Sequence, residues 1–370
     1  MQGRIAMDLI RKIKDILPPS SRSFHQFREV EAQRFDQILN ELCKHQAIME
    51  DLINTRLDRL SDDLDIHDTH VKMLEWANFR QPNESLIDAK KRFFRELPPA
   101  TGSARLVQLG CTHLLRAFNE ICASKGLTYW AGGGTLIGAV RHNGFIPWDD
   151  DVDLAMTRKD LKILISVLAT SSNYKISVLY DPFVICCQYR FMFKDDNVPC
   201  FLDIFPFDFA NDANVKDKQS AIREELKQST IANPAYQDWL EAGCIDETHP
   251  LFGQVKEMFA NYIGNSIHEG LISFDKGEYL VRGIDNFDDP NGYHWSARIE
   301  DMFPLEWVKF EDTDIAIPQD AGLLLEGAYG DIYDIPRDIK SHFDHIAGSV
   351  SDQDLTDAAI EAKISGCSSH

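Results

Sequence analysis

The chain has 370 residues, of which 44% are hydrophobic and 26% are charged, so it can bury one large domain with an accessory segment, or two modest domains. Its formal net charge of -21 repels nucleic acid and excludes the broad basic face that a polyanion-binding protein needs. The eight cysteines include no CxxC pair, which argues against a structural zinc site and suits reduced thiols in a cytoplasmic protein.

The first predicted element, over residues 4–17, has the pattern of a short amphipathic helix. Its polar side carries the basic residues Arg4, Arg11, Lys12 and Lys14. The segment lacks the uninterrupted apolar core of a signal peptide and is too short to cross a bilayer. We therefore expect either peripheral association with the inner face of the cytoplasmic membrane or a helix that covers apolar surface on the protein itself.

A long helical pattern follows, with apolar residues at near-heptad spacing. These residues are Phe35, Ile38, Leu42, Met49, Leu52 and Leu60. His45 and Arg56 interrupt the pattern, so two interpretations stay open: a homo-oligomer through a coiled coil of residues 27–64, or a helical arm packed on its own catalytic domain. Pro98 and Pro99 mark a boundary, and we predict a helical arm over residues 1–100.

Helices and strands alternate after this boundary. A helix that begins at Ala104 should end at Gly126, because glycine is a natural C-terminal stop. The further predicted elements are strand 127–130, a triglycine turn with a short helix through residue 139, strand 148–156, helix 159–168, a hairpin of 185–194 and 199–207, mostly helix over 222–272, a β segment over 308–317 and helix 318–327. The pattern predicts an α/β (α+β) domain over residues 101–345, with helices flanking a mixed sheet, and a flexible tail over residues 346–370.

A run of four aspartates within five residues is the first candidate for chemistry. As a strand, this segment would project Asp149, Asp151 and Asp153 from one face. Carboxylates crowded on one face repel each other unless a cation lies among them, and hard oxygen ligands suit Mg²⁺ or Mn²⁺. The apolar residues around the run indicate a buried segment rather than a solvated acidic turn.

Three consecutive glycines, Gly132 to Gly134, lie between a predicted strand and a predicted helix. In this position backbone N–H groups approach a phosphate closely. A glycine cluster alone marks only a tight turn, but here a carboxylate-rich strand follows about fifteen residues later. A glycine turn followed by metal-binding carboxylates is the layout of the nucleotidyltransferase superfamily.

The residues from Gly133 to Asp153 resemble the signature of the LicD family, which includes the fukutin-related proteins. Further similar segments are 201–208, 303–305, 310–311 and 329–331, so the resemblance extends over residues 104–340. It implies a nucleotidyltransferase-like fold and a phosphotransferase that moves a phospho-substituted group from a CDP-linked donor to a sugar hydroxyl of a glycan or lipid-linked glycan.

The resemblance also implies a biological setting, the biosynthesis of a cell-surface polysaccharide or lipopolysaccharide. Phosphocholine from CDP-choline is the first candidate for the transferred group. Glycerol phosphate and ribitol phosphate are alternatives, since related enzymes use those donors. A true nucleotidyltransferase that moves NMP, and a non-catalytic scaffold of a glycan-assembly complex, are the competing functions.

The family motifs imply roles for individual residues. Asp151 and Asp153 match the two carboxylates that hold the metal ion. Asp203 matches the third carboxylate, which either completes the metal site or takes the proton from the acceptor hydroxyl.

The donor pyrophosphate would be held by the glycine turn. Gly133, Gly134 and Thr135 are the residues assigned to it, and Arg141 is a candidate phosphate clamp. An ion pair between Arg141 and Asp149 or Asp150 is the alternative.

Four residues have open assignments. Asp149 and Asp150 are expected to surround the ligands or to bind a second metal ion. His142 is either a base or a solvated bystander. Trp148, with Trp130, either cages a choline ammonium group or packs in the core, and we favour core packing.

Overall fold

The computed structural model describes residues 22–212, 214–284, 296–334 and 353–366. The chain divides into two compact units, Met1–Gln81 and Pro82–His370. The amphipathic pattern predicted for residues 4–17 lies outside the described residues. Within the described residues, every helix is too short or too polar to span a membrane.

The first unit contains helix α1, which spans Arg22–Phe79 and is 58 residues long. The predicted helical arm is therefore present. The arm was expected to extend to residue 100, but the first unit ends at Gln81. The next helix, α2 at Leu86–Glu96, belongs to the second unit. The break coincides with Pro82 and with Asn83, whose φ of 67° is left-handed, and both features stop a helix.

The second unit alternates helices and strands. Its helices after α2 are α3 (Gly102–Lys125), α4 (Gly133–Arg141), α5 (Arg158–Leu168), α6 (Val215–Ala232), α7 (Pro234–Ala242), α8 (Phe252–His268), α9 (Ile299–Met302), α10 (Ala321–Tyr329) and α11 (Gln353–Gly366). Its strands are β1 (Tyr129–Ala131), β2 (Asp153–Thr157), β3 (Tyr174–Asp181), β4 (Cys186–Phe193), β5 (Phe201–Ala210), β6 (Tyr279–Arg282), β7 (Ser296–Arg298), β8 (Glu306–Phe310) and β9 (Thr313–Ile317). As predicted, α3 ends at Gly126, which takes a left-handed φ of 65°.

Among the described residues, seven strands form one mixed sheet in the order β1-β2-β5-β4-β3, and β6 and β7 continue from β5. Strands β2 and β5 are parallel, whereas the other paired strands run antiparallel. Because β4 and β6 pair with successive parts of β5, β5 is the central strand. Strands β8 and β9 form a separate hairpin. A mixed sheet flanked by helices confirms the predicted α/β fold.

Side-chain alternation gives the sheet two different faces. On one face Leu154, Leu202 and Ile204 are buried in the main hydrophobic core, which also includes apolar residues of α3 and α5. The other face, which we call the site face, carries Asp153 of β2 and Asp203 of β5. These two residues are direct neighbours in the parallel pairing.

Two predictions at the level of elements are wrong. Strand β2 begins at Asp153 and not at residue 148, because the preceding residues turn: the N–H of Asp149 donates to the carbonyl of Ile146 at 2.9 Å. Residues 353–366, expected within a flexible tail, form helix α11. Its residue Ile360 is fully buried in the main core, because α11 packs against α3.

Candidate active site

The glycine turn connects β1 to α4, as the sequence predicts. Gly132 caps α4 in an extended conformation, and its N–H donates to the carbonyl of Asp153 at 3.0 Å. Gly133 has a φ of 47°, which residues with a side chain rarely adopt. The hydroxyl of Thr135 accepts a hydrogen bond from the N–H of Asp153 at 2.8 Å. These bonds hold the turn against the start of β2.

The acidic run lies so close to Gly133 and Gly134 that a side chain at either position does not fit. A Cβ atom at Gly133 would overlap Oδ2 of Asp153, and one at Gly134 would lie 2.7 Å from Oδ2 of Asp149. The N–H of Gly134 donates to Oδ2 of Asp153 at 3.3 Å. The N-terminus of α4, where backbone donors lack helical acceptors, therefore opens directly onto carboxylates.

The three residues predicted as metal ligands come together on the site face. Asp153 and Asp203 are neighbours in the β2–β5 register, and Asp151 lies in the segment before β2. One oxygen atom from each of the three carboxylates lies within 4.8 Å of the other two. Asp149, Asp150 and Asp151 form a second group whose carboxylate oxygens also lie within 4.8 Å of one another. Asp151 therefore belongs to both groups.

The crowding of these carboxylates is unfavourable without a cation. Burial raises the pKa of Asp153 well above its usual value, and the charges of Asp151 and Asp203 raise it further, although Arg282 and the N–H of Gly134 act in the opposite direction. Burial, followed by the charges of Asp151 and Asp153, likewise raises the pKa of Asp149. Clustered carboxylate oxygens are the ligands that Mg²⁺ and Mn²⁺ prefer, so the site fits a hard divalent ion.

Two arginines beside the carboxylates were missed by the sequence analysis. The Nε atom of Arg190 donates to Oδ1 of Asp203 at 3.1 Å, because the two residues are opposite each other in the β4–β5 register. The guanidinium of Arg282, on β6, lies 4.6 Å from the ring centroid of Phe205. Neither arginine belongs to a recognisable local motif, and both reach the site through strand pairing.

A cavity of about 160 Å³ extends from the carboxylates along the site face. Asp153 and Arg282 supply charged groups to its lining, and Trp130, Phe205 and Phe207 supply aromatic rings. The rings of Trp130 and Phe207 meet edge to face, with centroids 5.3 Å apart. The cavity therefore joins an aromatic wall to the carboxylate of Asp153 and the guanidinium of Arg282.

Residues 126–234 match the family model described as "LicD/FKTN/FKRP, nucleotidyltransferase domain". The chain contains a LicD-family domain. The matched range includes the glycine turn, the acidic run, Arg190 and Asp203. Arg282 and several other residues of the cavity wall lie beyond the matched range.

Curated relatives support the same assignment of the LicD domain. Over 116 residues the chain is 36% identical to the lipopolysaccharide cholinephosphotransferase LicD of Haemophilus influenzae. The matched segment covers 27% of this chain and 43% of that protein. Over 123 residues it is 29% identical to the ribitol 5-phosphate transferase FKRP of mouse and of human. This matched segment covers 30% of this chain and 25% of each relative. The matched segments thus span less than half of these relatives.

The side chain of Arg141 lies away from the carboxylates of the site. Arg141 lies eight residues after Gly133, about 12 Å further along the axis of α4. Its guanidinium is 4.2 Å from the ring centroid of Phe94 and donates to the carbonyl of Ile332. Burial lowers the pKa of Arg141 to about 10. The phosphate-clamp prediction is therefore wrong, and within the described part of the chain no carboxylate forms the alternative ion pair.

His142 belongs to the same buried contact and not to the carboxylate group. It accepts a hydrogen bond from Nε of Arg141 at 2.9 Å, and its ring packs edge to face on Phe94 and Trp148. Burial and the charge of Arg141 lower the pKa of His142 to about 4. His142 is therefore not a solvent-exposed loop residue, and it does not lie beside the carboxylates, where it could act as a base. Trp148 packs on His142, whereas Trp130 lines the cavity.

Proposed function

We propose that the chain is a metal-dependent phosphotransferase that moves a phospho-substituted group from a CDP-linked donor to a sugar hydroxyl of a glycan. One observation carries this proposal: the oxygens of Asp151, Asp153 and Asp203 converge beside the N-terminus of α4. Phosphoryl transfer depends on charge neutralisation and in-line positioning more than on covalent chemistry. Converging carboxylates and a helix N-terminus supply the groups for both.

Each part of the site has a separate task in this proposal. Asp151, Asp153 and Asp203 would hold Mg²⁺ or Mn²⁺, and the bound ion would neutralise phosphate charge. The backbone N–H groups at the start of α4 would orient the donor pyrophosphate. The guanidinium of Arg282, which lines the cavity beside Asp153, takes the phosphate-binding role that we first gave to Arg141.

The reacting groups can be followed through the transfer. The acceptor hydroxyl oxygen would bond to the distal phosphorus of the donor while the bond from that phosphorus to CMP breaks. The hydroxyl proton would pass to a carboxylate of the acidic group. Arg190 donates to Oδ1 of Asp203, which orients that carboxylate.

Phosphocholine is our first choice for the transferred group. Aromatic rings bind a quaternary ammonium through cation–π contact, and the cavity wall includes Trp130, Phe205 and Phe207. The relative from Haemophilus influenzae is named a cholinephosphotransferase. We therefore expect CDP-choline to be turned over.

One observation favours a second donor class, the polyol phosphates. The guanidinium of Arg282 already lies over the ring of Phe205, and a cation in the wall repels another cation but donates hydrogen bonds to hydroxyls. The mouse and human relatives are named ribitol 5-phosphate transferases. CDP-ribitol and CDP-glycerol are thus the alternative donors.

The test is a turnover assay with CDP-choline, CDP-glycerol and CDP-ribitol, with Mg²⁺ or Mn²⁺ and after removal of metal with EDTA. We expect one donor to release CMP, EDTA to stop the release, and added metal to restore it. Asp153→Asn should lower the rate by roughly a thousandfold or more. The control Asp196→Asn changes an exposed carboxylate paired with Lys175 and should leave the rate unchanged.

Three results would contradict the proposal. Release of pyrophosphate in place of CMP would identify a true nucleotidyltransferase. Full activity of Asp153→Asn would remove the metal site from the mechanism. Failure of all donors to be turned over or to stabilise the protein against heat would favour the non-catalytic scaffold.

The acceptor and its location complete the proposal. We infer that the glycan acceptor is lipid-linked and meets the enzyme at the cytoplasmic side of the membrane, in polysaccharide or lipopolysaccharide assembly. The name of the Haemophilus influenzae relative includes lipopolysaccharide, and the basic pattern of residues 4–17 suits an anionic lipid surface.

A further inference from the structure

Helix α1 carries an apolar stripe that is much longer than the sequence pattern indicated. The stripe, which we call the seam, consists of positions 35, 38, 42, 45, 49, 53, 57, 60, 64, 67, 71 and 74. Ten of these positions hold Phe, Ile, Leu, Met or Val, and the other two hold His45 and His67. The ten apolar side chains are 37–67% exposed. On an ideal helix all twelve positions fall within an arc of about 120°.

The spacing of the seam is that of a coiled-coil strand. It advances by 39 positions in eleven steps, about 3.5 residues per step, which is the period at which two helices stay in contact. Coiled coils are indicated once such a pattern lasts for three or four heptads, and this one lasts for more than five. On an ideal helix the same arc also includes Gln46, Arg56 and Asp63, so the stripe is mainly but not wholly apolar.

One irregularity of the seam decides which partner fits. The steps alternate between three and four residues, except that three four-residue steps in succession join His45 to Met49, Ile53 and Leu57. Such an insertion changes the local winding of a coiled coil, so a partner must carry the same change at the matching place. A second copy of α1 meets this condition by identity, whereas an unrelated helix with regular heptads loses register beyond Ile53.

The apolar surface is sufficient for a stable dimer. If each of the ten apolar side chains removes about 60–120 Å² from water, the seam buries roughly 600–1,200 Å² on each copy, compared with about 800 Å² per partner in a standard specific interface. We propose that α1 associates with α1 of a second copy of this chain through the whole seam from Phe35 to Leu74. This interface is independent of the proposed phosphotransferase activity.

Analytical ultracentrifugation of the full chain over a wide concentration range tests the proposal. We expect the protein to sediment as a dimer or a higher symmetric oligomer. Leu60→Lys combined with Leu64→Lys should make it monomeric, with a dissociation constant raised by about a hundredfold or more. The matched control is Ile66→Lys combined with Met73→Lys, which changes two equally exposed apolar residues outside the seam and should leave the oligomer intact.

A thermal unfolding measurement on the same proteins distinguishes loss of the interface from loss of folding. Five of the six tryptophans follow residue 81, so the thermal transition in tryptophan fluorescence reports mainly on the second unit. An unchanged transition in the monomeric seam variant supports the proposal. A monomeric wild-type chain, dissociation of the control variant, or a seam variant that melts early without any change in mass would each overturn it.

Discussion

Asp203 and Asp208 lie five residues apart on β5, so their side chains project from opposite faces of the sheet. Asp208 is fully buried and forms two hydrogen bonds with the guanidinium of Arg158, at 2.7 and 2.6 Å. Asp203 lies on the site face, where Arg190 and two further carboxylates surround it. The charge of Asp208 thus supports the fold, whereas Asp203, which pairs with Arg190, adds its charge to the carboxylate group of the site.

Alanine substitutions at these two positions should have opposite effects. Asp208→Ala leaves Arg158 buried without its carboxylate and should lower the free energy of unfolding by about 3–5 kcal/mol, with turnover per folded molecule retained. Asp203→Ala should keep the free energy of unfolding nearly unchanged and lower turnover by roughly a thousandfold. Urea unfolding and the CMP-release assay measure the two quantities. The reverse ranking of turnover would mean that Asp208 and not Asp203 serves the reaction.

The half-buried imidazole of His142 makes the stability of the fold depend on pH. Its pKa is lowered to about 4 in the folded chain, whereas in the unfolded chain it is about 6.5. Between these values the unfolded chain binds more protons, so the free energy of unfolding falls as the pH is lowered. The contribution of the neutral His142 to the free energy of unfolding is complete above pH 6.5 and is lost progressively toward pH 4.

Substitution of His142 by glutamine should remove this part of the acid sensitivity. Glutamine also accepts a hydrogen bond from Arg141 but does not titrate. Between pH 7 and pH 5 the wild-type free energy of unfolding should fall by about 1–2 kcal/mol more than that of His142→Gln. Urea unfolding at the two pH values measures the difference, and parallel losses in both proteins would show that His142 is not buried as a neutral group.

At the scale of elements, the β1–α4 junction depends on Gly133 more than on Gly132. Gly133 has a left-handed φ and no space for a Cβ atom, whereas Gly132 is extended and has open space around that position. Gly133→Ala should therefore displace the carboxylate of Asp153 and cost about 1–2 kcal/mol of backbone strain.

The two alanine variants form a matched pair. We expect Gly133→Ala to lower turnover by at least about a hundredfold, since a displaced ligand loses transition-state stabilisation, and to raise the metal concentration needed for half-maximal activity. Gly132→Ala should retain turnover close to that of the wild type. Titration of both variants with Mg²⁺ separates loss of metal affinity from global unfolding, and equal activities would mean that the close approach at Gly133 is not required.

At the scale of the whole molecule, the strongly acidic chain carries a basic segment near its N-terminus. Deletion of residues 1–20 should abolish binding to anionic liposomes, because each basic residue near such a surface contributes about 1 kcal/mol. Turnover with a soluble acceptor should be retained. Liposome sedimentation measures the binding, and a full-length variant with glutamine at Arg4, Arg11, Lys12 and Lys14 is the control for the loss of chain length. Early melting of the deleted protein would instead mean that the segment covers apolar surface.

The amino-acid sequence alone predicted the parts of the site that depend on local patterns. The glycine turn, the acidic run and the strand that carries Asp203 are each short segments whose conformation follows from glycine freedom and strand alternation. The helical arm and the stop of α3 at Gly126 were predicted for the same reason. These features therefore reappear in the structure close to their predicted positions.

Only the tertiary structure decided which cations face the carboxylates and where the ends of elements lie. The hairpin prediction named two strands but not the residues that face each other, and the actual register places Arg190 opposite Asp203. A slip of one residue would move the side chain to the other face. Arg282 reaches the site through β6, and Arg141 points away from it because its guanidinium packs on Phe94. These arrangements depend on register and on contacts between residues distant in the chain, which a local pattern does not encode.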